Sequence, residues 1–141
     1  MEEVVFPEEL ALITAPALRS IEDLERQRSL KIIVFRRGCS YRQRLEALLV
    51  RRGIQTAEPL EFGSLEAILG CVAAGIGVTM LPRAVVQPAV AAGGVAAHAL
   101  AAAEARADTV FIRRRESQPT SALTALLAIA RPLPPQIAAA E

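Results

Sequence analysis

The residues best suited to chemistry lie in two short segments, 38–41 (G-C-S-Y) and 62–65 (F-G-S-L), where a predicted strand runs into a predicted helix. A helix start offers free backbone N–H groups and a partial positive charge, which together suit an anion. We therefore predict that these segments bind a small acidic molecule, while Ser40 and Ser64 could also simply cap their helices. The candidate ligand-binding residues are Arg37, just before the first segment, Gly38, Cys39, Ser40 and Tyr41 in that segment, and Phe62, Gly63, Ser64 and Leu65 in the second.

The first segment is positioned by a strand and a helix with clear boundaries. Residues 31–35 are rich in β-branched side chains, which favours a strand. Residues 40–43 (S-Y-R-Q) form a capping box, in which the Ser40 oxygen and the Gln43 side chain would satisfy N–H groups at the helix start. Leucines then line one face and arginines the other, with Arg42 on the exposed side, and Gly53 ends the helix.

The second segment begins a helix that leads into another strand. Ser64 is an N-cap candidate, and the apolar positions 65, 68, 69 and 72 have the spacing of one buried helical stripe. Gly75 is placed to end the helix, and residues 76–81 are extended and apolar up to Pro82. Residues 54–61 should form an edge strand or an irregular strand, because Pro59 removes a ladder donor.

This alternation predicts an α/β fold with parallel strands and right-handed crossovers. Both candidate segments follow a strand, so they should project from the same edge of the sheet. In open α/β sheets, ligands bind outside the carboxyl ends of the strands.

The remaining predicted elements flank this region. A strand at 10–15 ends at Pro16, and a capping-box start at residues 20–23 predicts a short helix docking Ile21 and Leu24. A helix at 84–87 should break at Pro88. Strands are predicted at 95–100 and 108–113, followed by a helix at 120–130 with Leu123, Leu126 and Leu127 facing inward.

Composition narrows the class of protein. The 141 residues suffice for one domain. A net charge of +1 gives no electrostatic reason to expect direct contact with nucleic acid. No apolar run reaches the roughly 20 residues of a membrane span, and Met-Glu-Glu is atypical of a secretory signal, so a cytoplasmic location is expected.

Catalytic and metal-binding chemistry is not predicted. His98 is the only histidine and has no partner at a ligand spacing, so we predict no catalytic residues, no metal and no cofactor. Cys71 is read as a core residue. Cys39, at a helix start beside arginines, leaves a thiol sensor open as an alternative.

The order of several motifs resembles the effector-binding domain of LysR-type transcriptional regulators. The pattern S-x-x-x-I-x-x-x-V-A-x-G-x-G-V-x-x-L-P fits residues 64–82. Upstream, L-A-L-I-T-A-P at 10–16, I-E-D-L at 21–24 and I-I-V-F-R-R-G-C-S-Y-R at 32–42 follow in the same order. The resemblance covers roughly residues 10–130, without a winged helix-turn-helix and without the first elements of the family's effector domain.

This resemblance implies a doubly wound sheet like that of type 2 periplasmic binding proteins, with one subdomain nearly complete and the other partial. It implies that residues 1–15 end subdomain I with a hinge strand and that 16–107 form subdomain II. Residues 108–131 would then hold the return hinge strand and the last helix of subdomain I, followed by a disordered tail at 132–141. The family's cleft would also be lined by Gly75, Ile76 and Gly77, although the glycines alone are explained by a turn and close packing.

The function implied is the sensing of a small, acidic effector in the cleft between the subdomains. Effector binding would shift a hinge equilibrium and rearrange a dimer or tetramer whose DNA-binding domains lie outside these residues. Two alternatives stay open: a stand-alone solute-binding module of the same fold, and a regulatory domain of a biosynthetic enzyme.

Overall fold

Strands and helices alternate along the computed structural model, which describes residues 2–27, 30–36, 38–56, 58–114, 116 and 118–130. Its elements in chain order are β1 (Glu2–Thr14), α1 (Glu22–Glu25), β2 (Ile33–Phe35), α2 (Ser40–Arg51), β3 (Leu60–Phe62), α3 (Leu65–Ala73), β4 (Thr79–Pro82), α4 (Arg83–Ala91), β5 (Ala96–Ala99), α5 (Ala102–Ala105), β6 (Arg106–Ile112) and α6 (Ser121–Ala130). The predicted α/β class is confirmed. Helix α5 lies in an Ala-rich stretch for which no helix was predicted.

Strand β1 is the central strand and is longer than predicted. Its last residues, from Leu10 to Thr14, are completely buried. They pair antiparallel with β4 on one side and with β5 on the other. Because alternate residues of a strand point to opposite faces, burial of every residue means that both faces of the sheet are covered here.

The parallel part of the sheet adjoins β4. Strands β2 and β3 pair in parallel, and an isolated parallel bridge joins Ile32 to Val78 at the start of β4. Two hydrogen bonds make this junction: Ile33 N–H donates to Val78 O at 2.8 Å, and Val78 N–H donates to Lys31 O at 3.0 Å. Through this bridge the two-stranded sheet β3-β2 continues into the sheet β4-β1-β5, and the predicted parallel pairing is confirmed for β2 with β3 and for the bridge beside β4.

The helices of this region bury the stripes that the sequence predicts. Helix α2 buries Leu45, Leu48 and Leu49, and α3 buries Ile68 and Val72. Helices α3 and α4 share one core cluster with alternate residues of β1, β2 and β4, namely Ala11, Ile13, Ile33, Ile68, Val72, Leu81, Val86 and Val95. Apolar burial on this scale stabilises each fully buried Ile or Leu by about 1.5–3 kcal/mol.

The chain divides into two compact units. One holds Glu9–Arg106 and therefore every element from the buried half of β1 to α5. The other holds the described residues of 1–8 and 107–130, in which β6 pairs with β1 and Thr109 Oγ1 donates to Glu8 Oε2 at 3.1 Å. The subdomain boundaries inferred from the resemblance stay a prediction, and the tail at 132–141 lies outside the described residues.

Two predictions about helices are wrong. Helix α4 continues through Pro88 instead of breaking there. Pro88 lacks the N–H that would bond to the carbonyl four residues earlier, but buried Val86 and half-buried Val90 hold the helix on the core. In α6 no residue is buried: Leu126 is 60% exposed, while Leu123 and Leu127 are half-buried.

Candidate ligand-binding site

The two candidate segments lie at the same edge of the sheet, as predicted. Strands β2 and β3 are parallel with Phe35 opposite Phe62, so the chain leaves both strands at the same level. Gly38 follows β2 with a φ of +100°, a conformation that favours glycine. The carboxyl ends of the two strands thus bring segments 38–41 and 62–65 side by side, and each segment opens a helix.

The two helix starts differ in how their N–H groups are satisfied. Ser64 is the N-cap of α3, and its Oγ accepts a hydrogen bond from Ala67 N–H at 3.2 Å. The capping box predicted at Ser40 is wrong, because Ser40 is the first helical residue and Cys39 is the N-cap without a side-chain cap bond. The first turn of α2 therefore keeps N–H groups for water or a ligand.

Three candidate residues also contribute to packing. Tyr41, Phe62 and Leu65 are half-buried against the core cluster shared by α3 and α4. Ser40, Gly63 and Ser64 are exposed. The exposed members of the two segments are thus the ones that a ligand could reach directly, and the half-buried ones fix the loops to the core.

The cation placed at this edge is Arg36, which the sequence prediction did not include. A guanidinium nitrogen of Arg36 lies 3.9 Å from where a Cβ on Gly63 would be, so it reaches the segment that opens α3. Among the described residues Arg36 has no carboxylate partner within salt-bridge distance. Its position directly after β2 was the available signal, whereas Arg37, the cation that was predicted, lies outside the described residues.

Arg42 is less accessible than its place on the arginine face suggested. Only 11% of its side chain is exposed; its Nε donates to Glu46 Oε1 at 2.9 Å and a terminal nitrogen to Glu61 Oε1 at 2.5 Å. These hydrogen bonds, first to Glu61 and then to Glu46, raise the pKa of Arg42 above its ordinary value. Two carboxylates thus pair with this one guanidinium, and the group of three side chains has a formal net charge of −1. Arg42 also lines two open depressions of about 410 and 270 Å³, the first with residues 58–61 and the second with Gly38, Cys39, Gln43 and Glu46.

Gly75, Ile76 and Gly77 are not brought together with the other candidates. They precede β4, and Gly77 is beside Lys31 at the amino-terminal end of β2. Because β2 and β4 run in parallel, this is the opposite edge of the sheet from Phe35 and Phe62. Gly77 is buried, Gly75 ends α3 with a φ of +75°, and Ile76 is 44% exposed. Close packing and a turn account for both glycines.

The structure describes the histidine and both cysteines, and the thiol-sensor alternative for Cys39 stays a prediction. His98 Nε2 lies 2.8 Å from Thr14 Oγ1, and burial is the main cause that lowers the pKa of His98 below its ordinary value. Cys39 and Cys71 are free and half-buried. Within the part of the chain that the structure describes, no three His, Cys, Asp or Glu side chains are grouped closely enough to hold a metal ion. No helix in that same part has the length and apolarity needed to span a bilayer.

An α/β sheet with ligand-accessible helix starts at its carboxyl edge defines a class of small-molecule-binding proteins. The family model described as the LysR substrate-binding domain matches residues 2–133. The chain therefore belongs to the LysR substrate-binding domain family, and the predicted resemblance is confirmed.

Sequence relatives are transcriptional regulators. The chain is 39% identical over 130 residues to the HTH-type transcriptional regulator GltR of Bacillus subtilis (strain 168), covering 90% of this chain and 43% of that protein. It is 41% identical over 118 residues to the HTH-type regulator YusT of the same organism, covering 84% of this chain and 39% of that protein. The chain thus spans about two fifths of the length of these relatives.

Solved structures establish the fold. The regulatory domain of MetR from N. meningitidis, a LysR family regulator, superposes with a TM-score of 0.69 at 20% identity, covering 93% of this chain and 63% of that chain. The CcmR regulatory domain of Synechocystis PCC6803, solved with 2-PG, gives 0.69 at 16% identity over 92% and 64%. The QuiR effector-binding domain, solved with shikimate, gives 0.62 at 16% identity over 92% and 63%. The expected fold, like that of type 2 periplasmic binding proteins, is confirmed.

Proposed function

We propose that this chain is the effector-sensing portion of a LysR-type transcriptional regulator, acting in the cytoplasm, and that it binds a small anionic molecule at segments 38–41 and 62–65. The observation that carries the proposal is the pairing of these segments at the carboxyl edge of parallel β2 and β3. Family membership supports the effector role, and two structural neighbours were solved with a small molecule bound.

Backbone N–H groups and the Arg36 guanidinium are the donors that would bind an anion at this edge. The uncapped first turn of α2 offers N–H groups, and the Arg36 guanidinium is next to Gly63. Arg42 is already paired with two carboxylates, so the charge that would recognise a carboxylate or phosphate is that of Arg36. Ser40 and Ser64 add hydroxyl groups, and Ser64 can accept from Ala67 and still donate to a ligand.

Signalling would proceed by a population shift. An effector that binds one arrangement of the regulator more tightly shifts the equilibrium by its difference in affinity for the two states. In the parent regulator this shift would alter how a dimer or tetramer presents its DNA-binding domains, while the present chain, with a net charge of +1, makes no direct contact with nucleic acid.

The test is a thermal-shift screen of the native chain against small carboxylates, aromatic acids and phosphates. A ligand at a hundredfold excess over its dissociation constant should stabilise the fold by about 2.7 kcal/mol. Arg36→Gln should remove most of this response. Arg26→Gln is the control and should keep it, because Arg26 lies at the C-terminal end of α1 with 83% of its side chain exposed. An acid that stabilises the native chain and the Arg36→Gln variant equally would contradict the proposed site.

A further inference from the structure

Arg42 joins the two segments that carry the proposed function. It lies in the first turn of α2, directly after segment 38–41, and its partner Glu61 immediately precedes Phe62 in β3. The contact therefore connects the end of segment 38–41 to the start of segment 62–65. Its second partner, Glu46, belongs to α2 itself and makes no connection to β3.

Both connected elements are held at this edge by one half-buried aromatic side chain each, Tyr41 in α2 and Phe62 in β3, and have few other local contacts of their own kind. Helix α2 begins without a side-chain cap, and its fully buried residues start only at Leu45. Strand β3 has three residues, and within the described residues its only strand partner is β2. Edge strands and uncapped helix starts open more readily than interior elements, so a cross-link between them has a local effect.

The low exposure of the Arg42 side chain reduces the entropic cost of this cross-link relative to a fully exposed ion pair, although Glu61 itself is exposed. Exposed pairs hold two long side chains in one geometry at an entropic cost and contribute little. Here 11% of the Arg42 side chain is exposed, and packing already restricts its rotamers, whereas 38% of the Glu61 side chain is exposed. A restricted, charge-assisted hydrogen bond of this kind fixes distance as well as energy.

We propose that Arg42 is a positioning residue, which sets the spacing between segments 38–41 and 62–65 through Glu61; this role in ligand binding rests on the proposed function. Arg42 does not meet the ligand's charge. It holds the N–H and hydroxyl donors of segments 38–41 and 62–65 at a fixed separation. That separation depends on Glu61, which lies on the edge strand. Glu46 orients the guanidinium from the same helix and has no part in the spacing.

Amide hydrogen exchange, followed by mass spectrometry on the ligand-free chain, tests this proposal with two matched carboxylates. Glu61→Ala should raise exchange in residues 38–43 and 60–65 by roughly three- to fivefold, the upper range for an ion pair that is partly shielded from water. Glu61→Gln, which keeps an acceptor oxygen, should give a smaller increase. Glu46→Ala should leave residues 60–65 unchanged, and buried residues 10–13 should report no change in any of the three variants.

The proposal is overturned if Glu61→Ala and Glu46→Ala have the same effect on residues 60–65. It is also overturned if exchange rises equally in residues 10–13, because the contact would then support only global stability. The measurement needs no effector. Failure of every acid in the thermal-shift screen would therefore remove the proposed function while leaving the spacing result to be judged separately.

Discussion

Replacing Gly77 with alanine tests whether this glycine serves packing or ligand binding. A Cβ at Gly77 would lie 2.3 Å from the carbonyl oxygen of Lys31 and 2.9 Å from its carbonyl carbon. Ordinary carbon–oxygen contacts are about 3.3 Å or longer, so the two backbones would have to separate by about 1 Å. Both contacted atoms belong to the backbone of the strand segment paired with β4, and no side-chain rotation can relieve the clash.

The cost follows from what that separation disrupts. The hydrogen bonds between Ile33 and Val78 and between Val78 and Lys31 cross this gap. Weakening two backbone bonds costs about 1 kcal/mol each, and overpacking adds about 1–3 kcal/mol. We therefore expect Gly77→Ala to lower the free energy of unfolding by about 3–5 kcal/mol, and the melting temperature by about 10–15 °C for a domain of this size.

Urea and thermal unfolding followed by far-UV circular dichroism measure this change. Gly70→Ala is the matched control, because a Cβ at Gly70 in α3 has no neighbour within 4 Å. That substitution should be neutral or stabilising by up to about 1 kcal/mol, since alanine is the better helix former. A Gly77→Ala variant within about 0.5 kcal/mol of the native chain would refute the packing account.

Three further predictions concern caps, core and pH. Ser64→Ala should lower the free energy of unfolding, measured with urea, by about 0.5–2 kcal/mol, because Ser64 caps α3. Ser40→Ala should leave it almost unchanged, because Ser40 caps no helix. Equal effects of the two substitutions would refute the assignment of caps. Leu49→Ala should lower the free energy of unfolding by about 2–5 kcal/mol, because Leu49 is fully buried. The neighbouring Val50→Ala should change it by less than about 0.5 kcal/mol, because the Val50 side chain is 75% exposed. Similar values for the two variants would contradict the orientation of α2. Burial lowers the pKa of His98 below 6.5 in the folded chain, so the unfolded chain binds the proton more readily. The stability that neutral His98 contributes is therefore fully present above about pH 6.5 and is lost as the pH falls toward the folded-state pKa. Urea titrations between about pH 8 and 5 should show that the free energy of unfolding changes less with pH in His98→Gln than in the native chain. An unchanged pH dependence in this variant would mean that other groups cause it.

Local signals in the sequence predicted three helix boundaries correctly, whereas the start of α2 and the end of α4 were predicted wrongly. Ser64 caps α3, Gly53 follows α2 with a φ of +69°, and Gly75 follows α3 with a φ of +75°. Each signal acts through its own backbone within a few residues, which is why sequence alone suffices. The shared edge of segments 38–41 and 62–65 was predictable too, because it needs only strand direction.

The errors arise where distant residues decide the outcome. The pairing of Arg42 with Glu61 was not predicted, because the parallel pairing of β2 and β3 brings Glu61 beside α2 from a distant part of the sequence. Pro88 stays inside α4 because tertiary packing outweighs a local preference. Gly77 lies at the opposite edge of the sheet because it precedes a parallel strand, and the inference that residues 75–77 line the family's cleft stays a prediction.

The most direct test of the central claim is to locate the ligand on the chain by amide chemical shifts. An acid that stabilises the native chain in the thermal-shift screen would be titrated into ¹⁵N-labelled protein. The account predicts that the largest shift changes fall in residues 38–41 and 62–65 and at Arg36, with residues 75–77 unaffected. Changes concentrated at residues 75–77, at the opposite edge of the sheet, or spread evenly over the chain, would contradict it.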